Sequence, residues 1–69
     1  MDYDKIVHIG ELVIVEDIPS SVIIRTLDVS CEAREQAHSK AKELLGERAK
    51  CVMTWRDKMD PRFAFSVDH

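Results

Sequence analysis

The stretch 30–46, Ser-Cys-Glu-Ala-Arg-Glu-Gln-Ala-His-Ser-Lys-Ala-Lys-Glu-Leu-Leu-Gly, limits what this chain can fold into more than any other. It carries the start, the stop and the apolar stripe of one helix. Ser30 is a good N-cap, because its hydroxyl can accept from a free N–H of the first turn. Glu32 and Glu35 place negative charge near the positive end of the helix dipole. There is no capping box, since the third helical position is Ala33 rather than Glu or Gln. Ala33, Ala37, Ala41, Leu44 and Leu45 recur at spacings of four, four, three and one, which makes a single stripe. Gly46 stands where a left-handed residue ends a helix. The stripe is mostly alanine, so the helix can approach its packing surface closely. The bulk of the core must then come from elsewhere.

Strands supply it. Lys5–Ile9 and Leu12–Val15 are β-branched and apolar, and too short for helices. Gly10-Glu11 interrupts them. A bulge at Gly10 would make them one long strand with a switched side-chain register. A tight hairpin with Gly10 in a II′ turn is the other reading, but it would leave two very short arms. Residues 16–21 hold Asp17, Pro19 and two serines, which is turn chemistry. Val22–Val29 follows as a second strand, with Val22, Ile24, Thr26 and Asp28 on one face. Ile23, Arg25, Leu27 and Val29 share the other. After the helix, Cys51–Trp55 reads as a third strand and Asp57–Pro61 as a polar turn. Arg62–Val67 alternates cleanly as a fourth, with Phe63, Phe65 and Val67 on one face.

The expected fold is therefore α+β, in the order ββαββ. A helix over about 30–45 packs on one face of a four-stranded antiparallel sheet. The helix returns the chain so that strand three starts parallel to strand two. Placing strand one between them makes every pair antiparallel, which gives the spatial order 2-1-3-4. One helix cannot cover the sheet fully. The uncovered face, or strand four as an edge, is where a partner or a second copy would bind.

At 69 residues the chain is expected to be a single domain over 1–69, of modest stability unless it dimerises or binds a partner. With 45% apolar and 33% charged residues it is too apolar for intrinsic disorder. No apolar run approaches the ~20 residues of a membrane helix. The start, Met1-Asp2-Tyr3-Asp4, is acidic and lacks the basic beginning of a signal peptide. A cytoplasmic location, no membrane contact, and free thiols at Cys31 and Cys51 are the expectation.

Catalytic chemistry finds little support. Cys31 falls in the first helical turn, where a thiolate is favoured, but His38 lies about 10 Å along the helix. No pattern of a cysteine hydrolase surrounds it, and a half-buried cysteine of the helix–sheet packing is the simpler reading. Cys31, Cys51, His8, His38 and His69 could contribute to a metal site, yet none forms a short C-x₂-C or H-x₃-H pair. His38 is expected to be solvated on the polar side of the helix, and His8 to be packed or sheet-facing. We expect no enzyme, no cofactor and no metal. A domain of this size has little room for a closed pocket of ~300 Å³.

Charge offers a binding reading. Residues 1–33 carry seven acids and two bases, whereas residues 34–69 carry eight bases and six acids. Arg48, Lys50, Arg56, Lys58 and Arg62 fall near the ends of strands three and four, with Trp55 and Met59 nearby. If they converge they form a basic rim suited to phosphate or to an acidic protein surface. The candidate partner-binding residues are thus Arg48, Lys50, Trp55, Arg56, Lys58 and Arg62. The interleaved acids Glu47, Asp57 and Asp60 would cancel much of that field.

The run Val29–Ala33 leading to Ala37, Ala41 and Leu44-Leu45-Gly46, then Cys51–Trp55, gives the outline of a strand, an alanine-rich helix ending at Leu-Gly, and a hairpin. In that layout the chain resembles small phage- and mobile-element-encoded proteins, among them anti-CRISPR proteins that act on multi-subunit type I surveillance complexes. The resemblance covers about residues 22–67 and matches no functional residue one for one. It implies a non-enzymatic inhibitor in the cytoplasm of a bacterial host. Such an inhibitor binds a protein or ribonucleoprotein complex and blocks its nucleic-acid binding or its recruitment of a nuclease. The competing expectation is a small homodimeric regulatory module, or one that binds nucleic acid directly through the basic rim.

Overall fold

Residues 5–67 are described by the structure, a computed structural model. His69 and the acidic start Met1–Asp4 lie outside the described residues. Ile18–Thr26 (β3) is the longest strand and the centre of the sheet. Its alternation sends Ser20, Val22, Ile24 and Thr26 inward, all buried. Before it come the short strands β1 (Ile6–His8) and β2 (Val13–Val15). After it come the helix α1 (Cys31–Leu45), β4 (Lys50–Trp55), a 3₁₀ turn at Arg56–Lys58, and β5 (Asp60–Ser66). The result is an α+β fold, with one helix against an open antiparallel sheet of five strands among the described residues.

The sheet order corrects the sequence expectation. β1 and β2 both pair with one edge of β3, β5 pairs with its other edge, and β4 lies outside β5. The first strand thus does not enter between β3 and β4, and the third expected strand rather than the fourth forms the edge. Either order keeps all neighbours antiparallel, so hydrogen bonding does not choose between them. Burial does. Phe63 and Phe65 of β5 are fully buried and, with Val22 and Ile24, form the floor on which α1 rests. β1 and β2 have far less to bury, since all three residues of β2 are exposed.

The single bulged strand expected over 5–15 is two strands, β1 and β2, on the same edge of β3, so the sheet has five strands rather than four among the described residues. His8 stands opposite Ile24 and Val13 opposite Ser21, so the four residues between them face only two. The Gly10 N–H donates to the Ile23 carbonyl at 2.9 Å, which keeps the chain on the same edge. The hairpin reading at Gly10 is thereby excluded. The turn expected over 16–21 is much tighter. Glu16 and Asp17 alone make it, both at positive φ (55° and 66°), the pair of values a two-residue type I′ hairpin requires. β3 accordingly starts at Ile18 and runs through Pro19, and it stops at Thr26 rather than at Val29.

α1 follows the sequence closely. Ser30 caps it, its hydroxyl accepting from the Ala33 N–H at 3.1 Å. Asp28 holds the cap in turn, accepting from the Ser30 N–H at 2.9 Å and from its hydroxyl at 2.6 Å. Ala33, Ala37 and Ala41 are fully buried, so the backbone of α1 lies close over the aromatic floor. Gly46 ends the helix at φ 104°, a positive value as expected, although its ψ of 169° is extended rather than left-handed helical. The chain before β1 is tied to the helix, because the Lys5 N–H donates to Gln36 Oε1 at 2.8 Å and its ammonium lies 3.3 Å from Glu32.

Candidate protein-binding face

Every second residue of β3 and β5 points away from the helix, and these residues floor a second, uncovered face. The strand register groups them in rows across the sheet. Ser21 stands beside Ser66, which stands beside Lys50. Ile23 stands beside Ala64, and Ala64 beside Met53. Arg25 stands beside Arg62. The middle row is apolar and low, since Ala64 has only a methyl group. Val13 rises on one flank and Val52 on the other, both more than half exposed. With Glu11, Ser21, Ile23 and Ala64 they line a groove of about 260 Å³.

At one end the face turns basic and aromatic. The Arg62 guanidinium carbon sits 4.5 Å from the Trp55 ring centroid. The same guanidinium grips Asp60, its Nε donating to both carboxylate oxygens at 3.0 Å and its Nη2 to Oδ2 at 2.7 Å. Those bonds hold the Asp60 carboxyl below the usual carboxylate range, with a smaller contribution from Arg25, and raise Arg62. Arg25, Asp60, Arg62, Leu27 and Ile9 help to enclose a second hollow of about 400 Å³ there.

This geometry divides the six candidate residues read from the sequence. Arg48 and Lys50 stand at one end of β4, and Trp55, Arg56, Lys58 and Arg62 at the other, about 17 Å away at the usual strand rise. They do not converge on one rim. Of the six, Arg62 and Trp55 are in direct contact. Arg56 and Lys58 belong to the 3₁₀ turn. The Arg56 Nη2 reaches 4.0 Å from the Cys31 sulfur across to the helix start. Cys31 is exposed, against the expectation of a half-buried position, and Cys51 is partly buried against the core; both are free thiols. No group of three or more His, Cys, Asp or Glu able to hold a metal ion occurs among the described residues.

The histidines also depart from expectation. His38 is not a solvated polar-side residue. Its ring stacks on Phe65 at a centroid distance of 5.6 Å, and its Nε2 lies 2.9 Å from the Ala49 carbonyl. His8 is exposed in β1 rather than packed. Arg25, Ile23, Ala64 and Val13, which shape the open face, were outside the sequence-derived set. Alternation alone puts Ile23 with Arg25, but their neighbours depend on a register that no local pattern encodes. No helix among the described residues is long and apolar enough to cross a membrane. No protein-family model, curated protein or solved structure matches this chain.

Proposed function

We propose that this chain is a non-enzymatic binding protein that docks on a partner protein, or on the protein part of a ribonucleoprotein, through the open face of its sheet. The observation that supports this reading is the apolar row Ile23–Ala64–Met53, left uncovered between the exposed Val13 and Val52. In a domain with so small a core, apolar surface left in water costs stability, and a partner would remove that cost. Taken with the resemblance in layout, the specific form of the proposal is an inhibitor of a CRISPR surveillance complex. It would act by blocking target-DNA binding or nuclease recruitment. Direct binding to nucleic acid is less favoured, since the bases around β4 are split between Arg48 and Lys50 at one end and Arg56 and Lys58 beyond the other, and Arg62 is engaged by Asp60.

The test is a mobility shift of target DNA by a purified type I surveillance complex, with and without excess chain, followed by a nuclease-recruitment assay. Loss of either step, restored by Met53→Glu on the open face, is the expected result. If both steps proceed undisturbed at saturating chain, the inhibitor reading is wrong.

A further inference from the structure

We infer that the open face takes one amphipathic α-helix of its partner, with its apolar stripe along the β3–β5 trough and acidic side chains toward Arg25 and Arg62. This inference rests on the protein-binding reading above and names the element that is bound. Shape is the first argument. The trough has a low floor at Ser21, Ile23 and Ala64 and walls at Val13 and Val52. From β2 to β4 the sheet spans three strand spacings, about 14 Å, which admits a helix of about 10–12 Å diameter. A helix laid in an apolar groove is an established way of recognising a peptide element.

Charge is the second argument. Arg25 and Arg62 stand side by side at one end of the trough. Asp60 answers Arg62, which leaves the end with Arg25 as excess positive charge. Glu11 is the one acid among the residues lining the trough, and it sits beside Val13, away from that end. An acidic helix is therefore preferred over a basic one.

The rival occupants fit less well. Adding a strand needs a regular sheet edge. β4 carries register shifts at Cys51/Met53 and at Thr54/Trp55, and the opposite edge is broken between β1 and β2. A second copy of this chain offers no free apolar helix face among the described residues; most of its exposed valines and isoleucines lie on the β2–β3 hairpin. The stripe of α1 is already buried, and its own open face is the same trough with the same charges.

The experiment titrates the isotope-labelled chain with a designed 18-residue helical peptide. The peptide has leucines at i, i+3, i+4 and i+7 and glutamates on the flanks; a second peptide has lysine in place of each glutamate. The expected result is saturable movement of the Ser21, Ile23, Arg25, Val52 and Ala64 amide signals with the acidic peptide. The basic peptide should bind about tenfold more weakly, and Arg25→Glu should reverse that order. Ala64→Trp fills the floor and should abolish binding; if it does not fold, Met53→Glu, at an exposed position, takes its place. Absence of saturable movement, or movement confined to the α1 side, overturns the inference. So does line broadening at these residues that grows with protein concentration alone, because a second copy would then be the occupant. Inhibition of a surveillance complex that persists while helix binding fails would overturn the choice of occupant alone. Helix binding without inhibition would overturn the CRISPR reading alone.

Discussion

Gly10 is pressed against Ile23. A Cβ built on Gly10 would lie within 3.0 Å of the Ile23 oxygen, nitrogen and Cβ. Two of those atoms are backbone of the central strand and cannot swing aside. The link between β1 and β2 therefore depends on the missing side chain. Gly10→Ala should lower stability by about 1–3 kcal/mol and loosen the edge strand. Urea denaturation gives the size of the effect, and hydrogen exchange at the Gly10 amide gives its place. An unchanged midpoint would show that the edge moves freely away from Ile23.

The two-residue turn invites the opposite change. Glu16 and Asp17 both hold positive φ without being glycine. Replacing the pair by Asn-Gly, which a type I′ turn prefers, should stabilise the protein by about 0.5–1 kcal/mol. A rise in the thermal midpoint with an unaltered spectrum is the expected reading.

The alanine stripe has no spare volume. Ala37 is fully buried over the aromatic floor. Ala37→Leu should cost about 1–3 kcal/mol by overpacking. Phe65→Ala should cost about 3–5 kcal/mol, because it also removes the surface on which His38 stacks. A domain of this size has about 3–10 kcal/mol in total by the usual allowance per residue. Loss of the folded near-ultraviolet spectrum is therefore expected for Phe65→Ala.

The helix cap gives a smaller and more local effect. Ser30→Ala removes the acceptor for the Ala33 N–H and one donor to Asp28. About 1 kcal/mol should be lost, with faster exchange confined to the first turn of α1.

Acid should expose two carboxylates. Asp28 is held below its ordinary value chiefly by the Ser30 hydroxyl and Ser30 N–H, and Asp60 chiefly by Arg62. Both are depressed in the folded state. Their contribution is present above the unfolded carboxylate value of about 3.9 and disappears as pH falls through the folded values. Denaturation midpoints should be level with pH near neutrality on account of these groups and fall below about pH 4. Asp60→Asn and Asp28→Asn should each flatten that fall; an unchanged slope would show that the two pairs do not hold in solution.

The helix was legible because its signals are local. A cap, a stripe and a terminal glycine all lie within 30–46, and the structure places α1 at Cys31–Leu45. That Gly10 interrupts the edge without turning the chain back was legible for the same reason, although the interruption splits the expected strand into β1 and β2. Strand order was not, because two arrangements satisfy the same antiparallel rule, and the difference lies in burial of Phe63 and Phe65 against residues far along the chain. The charged set failed to converge for a related reason. Its members are near in sequence, but β4 holds Lys50 and Trp55 at opposite ends. His38 was misplaced because an apolar contact for its ring and a carbonyl for its nitrogen both come from outside the helix.

β3 finds its inner neighbour late. Ser21 pairs with Ser66 across 45 residues, and the phenylalanines that floor the core belong to that same late strand. During synthesis, β1 to α1 can form local turns and a capped helix against Val22 and Ile24, but the aromatic half of the floor, Phe63 and Phe65, is missing until β5 leaves the ribosome. Folding of this chain should thus be nearly all-or-none with respect to length, and nascent chains stopped before Phe63 should be open to protease along their whole extent.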